Sequence, residues 1–301
     1  MSRVLVTGAD GFTGRHLCQA LSSAGHDVHG LVRDASCSPV LGVADLHQAD
    51  LLDSQALHRI VARVRPQRVV HLAAIAFVAH GDVDALYRVN LLGTRHLLAA
   101  LAGATEQPQA VLLVSSANIY GNATAGVLCE TAPPAPANDY AVSKLAMEHM
   151  ANLWRTRLPL TVVRPFNYIG RGQSTDFVIA KIVNHVQRRA PVLELGNLDV
   201  ERDFSDVRRV VDAYIRLLDL PSPPLGPFNV CSGVGTPLRQ VIELACEIGG
   251  HRPEVRVNPA FVRANEVQRL VGSAAALEAC IGPLRHYDLH DTLNWIFGVD
   301  A

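Results

Sequence analysis

A short apolar run, Val4-Leu5-Val6, leads directly into Thr7-Gly8-Ala9-Asp10-Gly11-Phe12-Thr13-Gly14, and Leu17, Ala20, Leu21 and Ala24 then follow at helical spacing before Gly25. Apolar residues three and four apart share one face of a helix, and a glycine after the last of them ends it. The stretch therefore predicts a strand, a glycine turn and a helix, the opening unit of a parallel α/β sheet. Each glycine has a separate task in such a turn. Gly8 permits the tight reversal, Gly11 lets backbone approach a ligand, and Gly14 removes the Cβ where helix and strand meet. Because a helix N-terminus carries positive partial charge and unpaired N–H groups, the turn suits a pyrophosphate. Phe12 and Thr13 belong to the same nucleotide-binding stretch.

The pattern then repeats. Asp27 to Val32 reads as a second strand ending at Arg33, and Asp50-Leu51-Leu52-Asp53 precedes a helix bearing Leu57, Ile60, Val61 and Val64. Val69 to Ala74 is a further strand whose end, Leu72-Ala73-Ala74, is small enough for a cofactor backbone to lie close. A helix from about 83 to 102 and strands at Val111–Val114 and 160–164 continue the alternation, which predicts a doubly wound parallel sheet. Beyond 166 the alternation loosens, and a smaller α/β substrate domain is expected. The division is 1–166 with 205–232 for the dinucleotide domain and 167–204 with 233–301 for the other. At 301 residues and 49% hydrophobic, the chain can bury cores of this size.

Charge and cysteines exclude several classes. A formal net charge of -1 offers no general attraction to nucleic acid or anionic membranes. The six cysteines are scattered without a C-x-x-C pair, so neither a disulfide framework nor a zinc site is expected, and they fit a reducing cytoplasm. The first strand begins too early to leave room for a signal peptide, and no apolar run approaches a membrane span. His286 and His290 are four apart but have no evident third ligand, so no metal is expected.

The chemistry points to Tyr140-Ala141-Val142-Ser143-Lys144. Residues four apart lie on one helix face, so a phenol and an ammonium can be aimed at one point, where the cation favours the phenolate. That brings the tyrosine nearer to working pH as a proton donor or acceptor. Ser115 and Ser116 end the strand before it, where a hydroxyl can bind a substrate oxygen or serve the turn. His71 reads as a packed strand-end histidine. Arg33 is suited to a 2′-phosphate, so NADP(H) is favoured, while Asp34 beside it keeps NAD(H) in play.

Gly8-x-x-Gly11-Phe12-x-Gly14 together with Tyr140-x-x-x-Lys144 resembles the extended short-chain dehydrogenase/reductase family over nearly the whole chain. The resemblance implies Ser116, Tyr140 and Lys144 as the catalytic set, Asp50 and Leu51 along the adenine, and Asn90 supporting the lysine. Dehydratases of that family carry a carboxylate directly after the hydroxyl residue, where this chain has Ala117 and Asn118. Arg164-Pro-Phe-Asn167, Gly172-Gln173, Asp176-Phe-Val-Ile, Arg202-Asp-Phe-Ser-Asp-Val, Asn229-Val-Cys-Ser-Gly and Arg263-x-x-Glu266 further resemble the GDP-4-keto-6-deoxy-D-mannose reductases. Carried over by position, Asn167, Lys181, Arg202, Arg263 and Glu266 would hold a nucleotide diphosphate sugar.

The implied reaction is reduction of a C4 ketone to give a GDP-linked 6-deoxyhexose such as GDP-D-rhamnose. Reduction of a dTDP- or UDP-linked keto sugar, 4-epimerisation with retained NAD, and a non-catalytic nucleotide sensor remain alternatives. A homodimer is expected through the helices carrying Leu97, Leu98, Leu145, Met147 and Met150.

Overall fold

A computed structural model describes residues 1–34, 36, 38–76, 81–122, 126–262 and 266–299. The chain divides into two compact units, Met1–Ile119 with Asn138–Arg164 and Val211–Phe228, and Tyr120–Ala137 with Pro165–Val210 and Asn229–Ala301. The segment Tyr120–Ala137, which the sequence reading keeps with the first domain, is grouped with the second unit.

The chain opens with β1 (Arg3–Thr7), α1 (Phe12–Ser23), β2 (Asp27–Val32), β3 (Asp45–Gln48), α2 (Ser54–Val64) and β4 (Arg68–His71). Next come α3 (Val83–Tyr87), a π-helical turn (Arg88–Gly93), α4 (Thr94–Ala102), β5 (Ala110–Val114), α5 (Asp139–Asn152) and β6 (Leu160–Pro165). The later part contains β7 (Asn167–Ile169), α6 (Val178–Gln187), β8 (Val192–Leu195), β9 (Glu201–Asp206), α7 (Val207–Asp219) and β10 (Phe228–Val230). It ends with β11 (Gly235–Pro237), α8 (Leu238–Gly249), β12 (Glu254–Val257), β13 (Arg269–Leu270), α9 (Ala275–Ile281) and α10 (Leu289–Phe297).

The central sheet has the order β10-β6-β5-β4-β1-β2-β3. The pairs from β6 to β3 are parallel, as strands joined by crossover helices must be. This is the doubly wound architecture expected from the sequence. Strand order reverses between β1 and β4, the crevice where ligands bind in such sheets. The glycine turn follows β1, and Leu72-Ala73-Ala74 follows β4. In the second unit β9 is flanked by β11 and β13 and pairs with β7, while β8 pairs with β12.

The first unit is held by Leu5, Leu31, Val69, Val111 and Leu113 of the sheet against Leu57, Val61, Leu97, Leu98, Leu101 and Met147 of the helices. This corrects part of the expected dimer surface, of which Leu145 and Met150 stay half-buried. Leu97 and Leu98 are fully buried and Met147 nearly so, which makes them core residues with nothing left to offer a partner. Among the described residues, the exposed large apolar side chains of α3, the π-helical turn, α4 and α5 are Val83, Leu92 and Val142. A separate core in the second unit joins Ile179, Ile182, Val183 and Val186 to Leu193, Leu195, Val241 and Leu293. No helix among the described residues is long and apolar enough to cross a membrane.

Candidate active site

The glycine turn is built by close approach. Gly8 has φ of +68°, and a Cβ there would lie 3.0 Å from both Cα and N of Ala73, so the ends of β1 and β4 touch through the missing side chain. A Cβ on Gly14 would lie 2.1 Å from the Gly8 carbonyl oxygen and 2.7 Å from that of Ala9, which seats α1 directly on the turn. Gly11 is the N-cap of α1 and has no side chain to cap it, whereas Asp53 caps α2 and Asn138 caps α5 through their side chains. With no acidic residue in its first turn either, α1 presents a positive N-terminus that fits the pyrophosphate of a dinucleotide. Phe12 and Thr13 form that first turn.

Around the turn, the N–H groups of Leu72 and Ala73 donate to the Thr7 carbonyl oxygen at 3.3 Å and to Thr7 Oγ1 at 3.2 Å. Ala74 beyond them is half-buried. Asp50 accepts from the Leu52 N–H, and Asp53 caps α2 by accepting from the Ala56 N–H. Leu51 is packed against Gly93, where a Cβ would lie 2.8 Å from the Leu51 Cβ. Arg33 is exposed just past β2. The neighbouring Asp34 accepts from the Ser36 N–H at 2.9 Å, and that bond, with a smaller contribution from the Arg33 charge, holds its carboxyl below the usual range.

A buried relay joins this turn to the π-helical segment. The Ala73 N–H donates to Thr7 Oγ1, which lies 2.7 Å from His71 Nδ1; His71 Nε2 lies 2.8 Å from Thr94 Oγ1, which donates to the Asn90 carbonyl at 2.7 Å. Since the Thr94 proton is committed to Asn90, Nε2 must carry the ring proton and Nδ1 must accept from Thr7. A neutral His71 therefore satisfies every group. Burial, with the charge of Lys144 adding to it, holds the ring's pKa down to about 3. His71 is a structural strut.

Asn90 sits in the π turn, a geometry that recurs at functional sites. Its side chain accepts from the Ile75 N–H at 2.9 Å and donates to the Ile75 carbonyl at 3.1 Å and to Ser143 Oγ at 3.0 Å. Ser143 Oγ in turn donates to the Tyr140 carbonyl oxygen at 2.8 Å. The support expected from Asn90 thus reaches α5 through Ser143, the residue before Lys144.

Tyr140 and Lys144 are on the first two turns of α5, both buried. Lys144 Nζ donates to the Val114 carbonyl oxygen at 2.8 Å, which places the ammonium at the end of β5, two residues before Ser116. Burial pushes the Lys144 pKa down to about 8, against the opposing pull of Glu148 one turn along the helix. Glu148 is itself buried and is gripped by Arg164, whose Nε and Nη2 donate to the carboxylate at 3.0 and 2.7 Å. Ser116 Oγ accepts two bonds, from the N–H and the side-chain amide of Asn118, both at 3.1 Å. A hydroxyl that accepts twice is polarised to donate its own proton. The roles of Ser143, Glu148 and Asn118 were not legible in the sequence, since a buried partner is visible only once the chain has folded.

The expected substrate-binding residues lie in the second unit. Arg202 and Glu266 meet at 3.2 Å, and Arg202 also donates to the carbonyls of Glu201 and Gln268. Lys181 Nζ lies 4.3 Å from the centre of the Phe261 ring, a cation–π contact that the sequence reading did not include. Asn167 is exposed at the start of β7. Arg263 falls outside the described residues. In the Asn229-Val-Cys-Ser-Gly segment, Asn229 accepts from the Tyr120 hydroxyl, while the N–H groups of Ser232 and Gly233 and the Ser232 hydroxyl donate to the buried Asp203. Those residues knit the second unit together.

The model of the NAD dependent epimerase/dehydratase family matches residues 4–231. The chain belongs to this family. Among curated relatives, the GDP-6-deoxy-D-mannose reductase of Pseudomonas aeruginosa is 37% identical over 304 residues, covering 97% of this chain and 91% of the relative. The GDP-6-deoxy-D-talose 4-dehydrogenase of Aggregatibacter actinomycetemcomitans is 33% identical over 282 residues, with 93% and 91% covered. A solved structure from Burkholderia cenocepacia, provisionally named an epimerase, superposes with a TM-score of 0.91 at 48% identity, covering 99% of this chain and 97% of that one. The chain accordingly takes a nicotinamide dinucleotide, NADP(H) or NAD(H), as its cofactor.

Proposed function

We propose that this enzyme reduces the C4 ketone of a GDP-linked 4-keto-6-deoxyhexose, with GDP-4-keto-6-deoxy-D-mannose as substrate and GDP-D-rhamnose as product. The observation that carries the reading is the buried Lys144 ammonium, one helical turn from Tyr140 and bonded to Val114 at the end of β5, two residues before the doubly accepting Ser116. The bound dinucleotide supplies the hydride that adds at C4. Tyr140 delivers the proton to O4, and Lys144 lowers the cost of the phenolate left behind. Ser116 donates to O4 and steadies the charge that grows there, with Asn118 fixing the direction of that hydroxyl. Gly8, Gly11, Phe12, Thr13 and Gly14 hold the pyrophosphate, Asp50 and Leu51 the adenine, Leu72, Ala73 and Ala74 let the cofactor backbone lie close, and Asn90 supports Lys144. Asn167, Lys181, Arg202, Arg263 and Glu266 hold the substrate nucleotide.

Two further features support this reaction type. Water elimination at C5 and C6 needs a carboxylate beside the hydroxyl residue, whereas Ala117 and Asn118 stand there, and the Asn118 amide is spent on Ser116. For the cofactor, Arg33 is exposed to meet a 2′-phosphate while the Asp34 carboxylate is turned onto its own loop, which favours NADP(H) over NAD(H).

The similarity to GDP-sugar enzymes favours the GDP-linked substrate over its dTDP- and UDP-linked counterparts. The structure named an epimerase keeps C4 epimerisation as a second reading, and the two differ in cofactor balance. Incubation with GDP-4-keto-6-deoxy-D-mannose and NADPH should consume one NADPH per sugar, with NMR showing reduction at C4. Turnover of only a dTDP- or UDP-linked ketone would move the substrate. Exchange of C4 epimers without net NADPH oxidation would replace reductase by epimerase.

A further inference from the structure

At the edge of the central sheet, β2 and β3 run parallel with His29 opposite Asp45 and Leu31 opposite His47. Alternate residues of a strand share one face, so Asp27 and His29 of β2 emerge beside Asp45 and His47 of β3. His29 Nδ1 lies 3.2 Å from His47 Nε2, and His47 Nε2 lies 3.7 Å from Asp45 Oδ2. One ligand atom from each of the three residues falls within 4.8 Å of the others. Two nitrogens bound to a tetrahedral ion at about 2.0–2.1 Å lie about 3.3 Å apart. The two imidazoles stand at that spacing.

The tautomer points the same way. The ring's other nitrogen, His29 Nε2, is 3.3 Å from Asp27 Oδ2, and an ionised carboxylate can only accept, so Nε2 holds the proton and Nδ1 turns its lone pair toward His47. A carboxylate behind a histidine in this way is the arrangement that orients metal-binding imidazoles. His47 is buried, and with the His29 lone pair facing it, its Nε2 carries the proton between them, which must pass to its Nδ1 before Nε2 can bind an ion. Asp45 is about half exposed and turned toward Arg63 of α2 at 3.3 Å, so an arriving cation must draw it from that arginine.

We propose that His29, His47 and Asp45 form a binding site for one divalent transition ion of the zinc class, with Asp27 orienting His29. Two imidazoles and one carboxylate suit zinc, cobalt or nickel and disfavour calcium or magnesium, which take oxygen ligands. The fourth position faces solvent beside Asp45. The ion would clip β2 to β3 on the strand that leads to Arg33.

The test is a cobalt titration of the full-length protein. One equivalent per chain should give the visible absorption of tetrahedral Co2+ without a thiolate charge-transfer band, and zinc should abolish it. His29→Gln and His47→Gln should each weaken binding at least tenfold. His290→Gln, in the exposed Asp288, His290 and Asp291 group, should leave it unchanged. Arg63→Ala, at a largely exposed position, should tighten binding severalfold by releasing Asp45, which keeps the test decisive if the His47 variant fails to fold. No visible band in the wild-type protein, a band that survives both histidine substitutions or is lost with His290, or an Arg63→Ala protein that binds no tighter would each overturn the proposal.

Discussion

Lys144 shows what a single residue costs the fold. Its ordinary pKa of 10.5 falls to about 8 on burial. The unfolded chain therefore binds this proton more tightly, and the folded protein carries a penalty of about 3 kcal/mol below pH 8 that is relieved as pH rises from about 8 toward 10.5. Lys144→Met should abolish turnover yet raise the stability of the cofactor-free protein at pH 7 by about 1–2 kcal/mol, after allowance for the donor lost to the Val114 carbonyl. Urea unfolding at pH 7 and 9.5 checks this: the gap between the proteins should narrow at the higher pH, and a less stable variant at pH 7 would contradict it. In the proposed reaction Asn118 acts through Ser116. Asn118→Ala should lower kcat about three- to thirtyfold with KM nearly unchanged, because one of the two bonds that polarise Ser116 is lost. A rise in KM at constant kcat would assign it to substrate binding instead.

At the scale of elements, the glycine turn was the most legible part of the chain, because its purpose is written in absent side chains. The Gly14 contact makes the prediction direct: Gly14→Ala should destabilise the protein by about 1–3 kcal/mol and weaken NADPH binding, since α1 must lift off the Gly8 and Ala9 carbonyls. Thermal melting with and without NADPH measures both effects, and an unchanged melting temperature would contradict the close packing. The strands from β1 to β6 were legible too, as apolar runs bounded by turns. The π turn at Arg88–Gly93 was not, since one extra backbone residue leaves the apolar pattern from 83 to 102 continuous. Leu97, Leu98 and Met147 misled for a related reason. An apolar face reads alike whether it meets its own sheet or another chain, and here its own sheet takes it.

For the whole molecule, the partnerships that cross long stretches of chain lay beyond the sequence. Glu148 finds Arg164, Asp203 finds Ser232 and Gly233, and His29 finds His47, each from an element that looks complete in isolation. The expected dimer needs side chains that remain outside, and Leu92 and Val142 are two of the exposed apolar ones on the helices concerned. Light scattering should give a particle of twice the 32.5 kDa chain mass, and the pair Leu92→Glu and Val142→Glu should reduce it to one. A dimer indifferent to both substitutions would place the contact elsewhere. The proposed reaction depends on Tyr140 as the proton donor, and single-turnover hydride transfer from bound NADPH to the keto sugar tests that most directly. Tyr140→Phe should bind NADPH as the wild-type protein does while the transfer rate falls about 10²–10⁴-fold. A rate retained within a few-fold would contradict the mechanism.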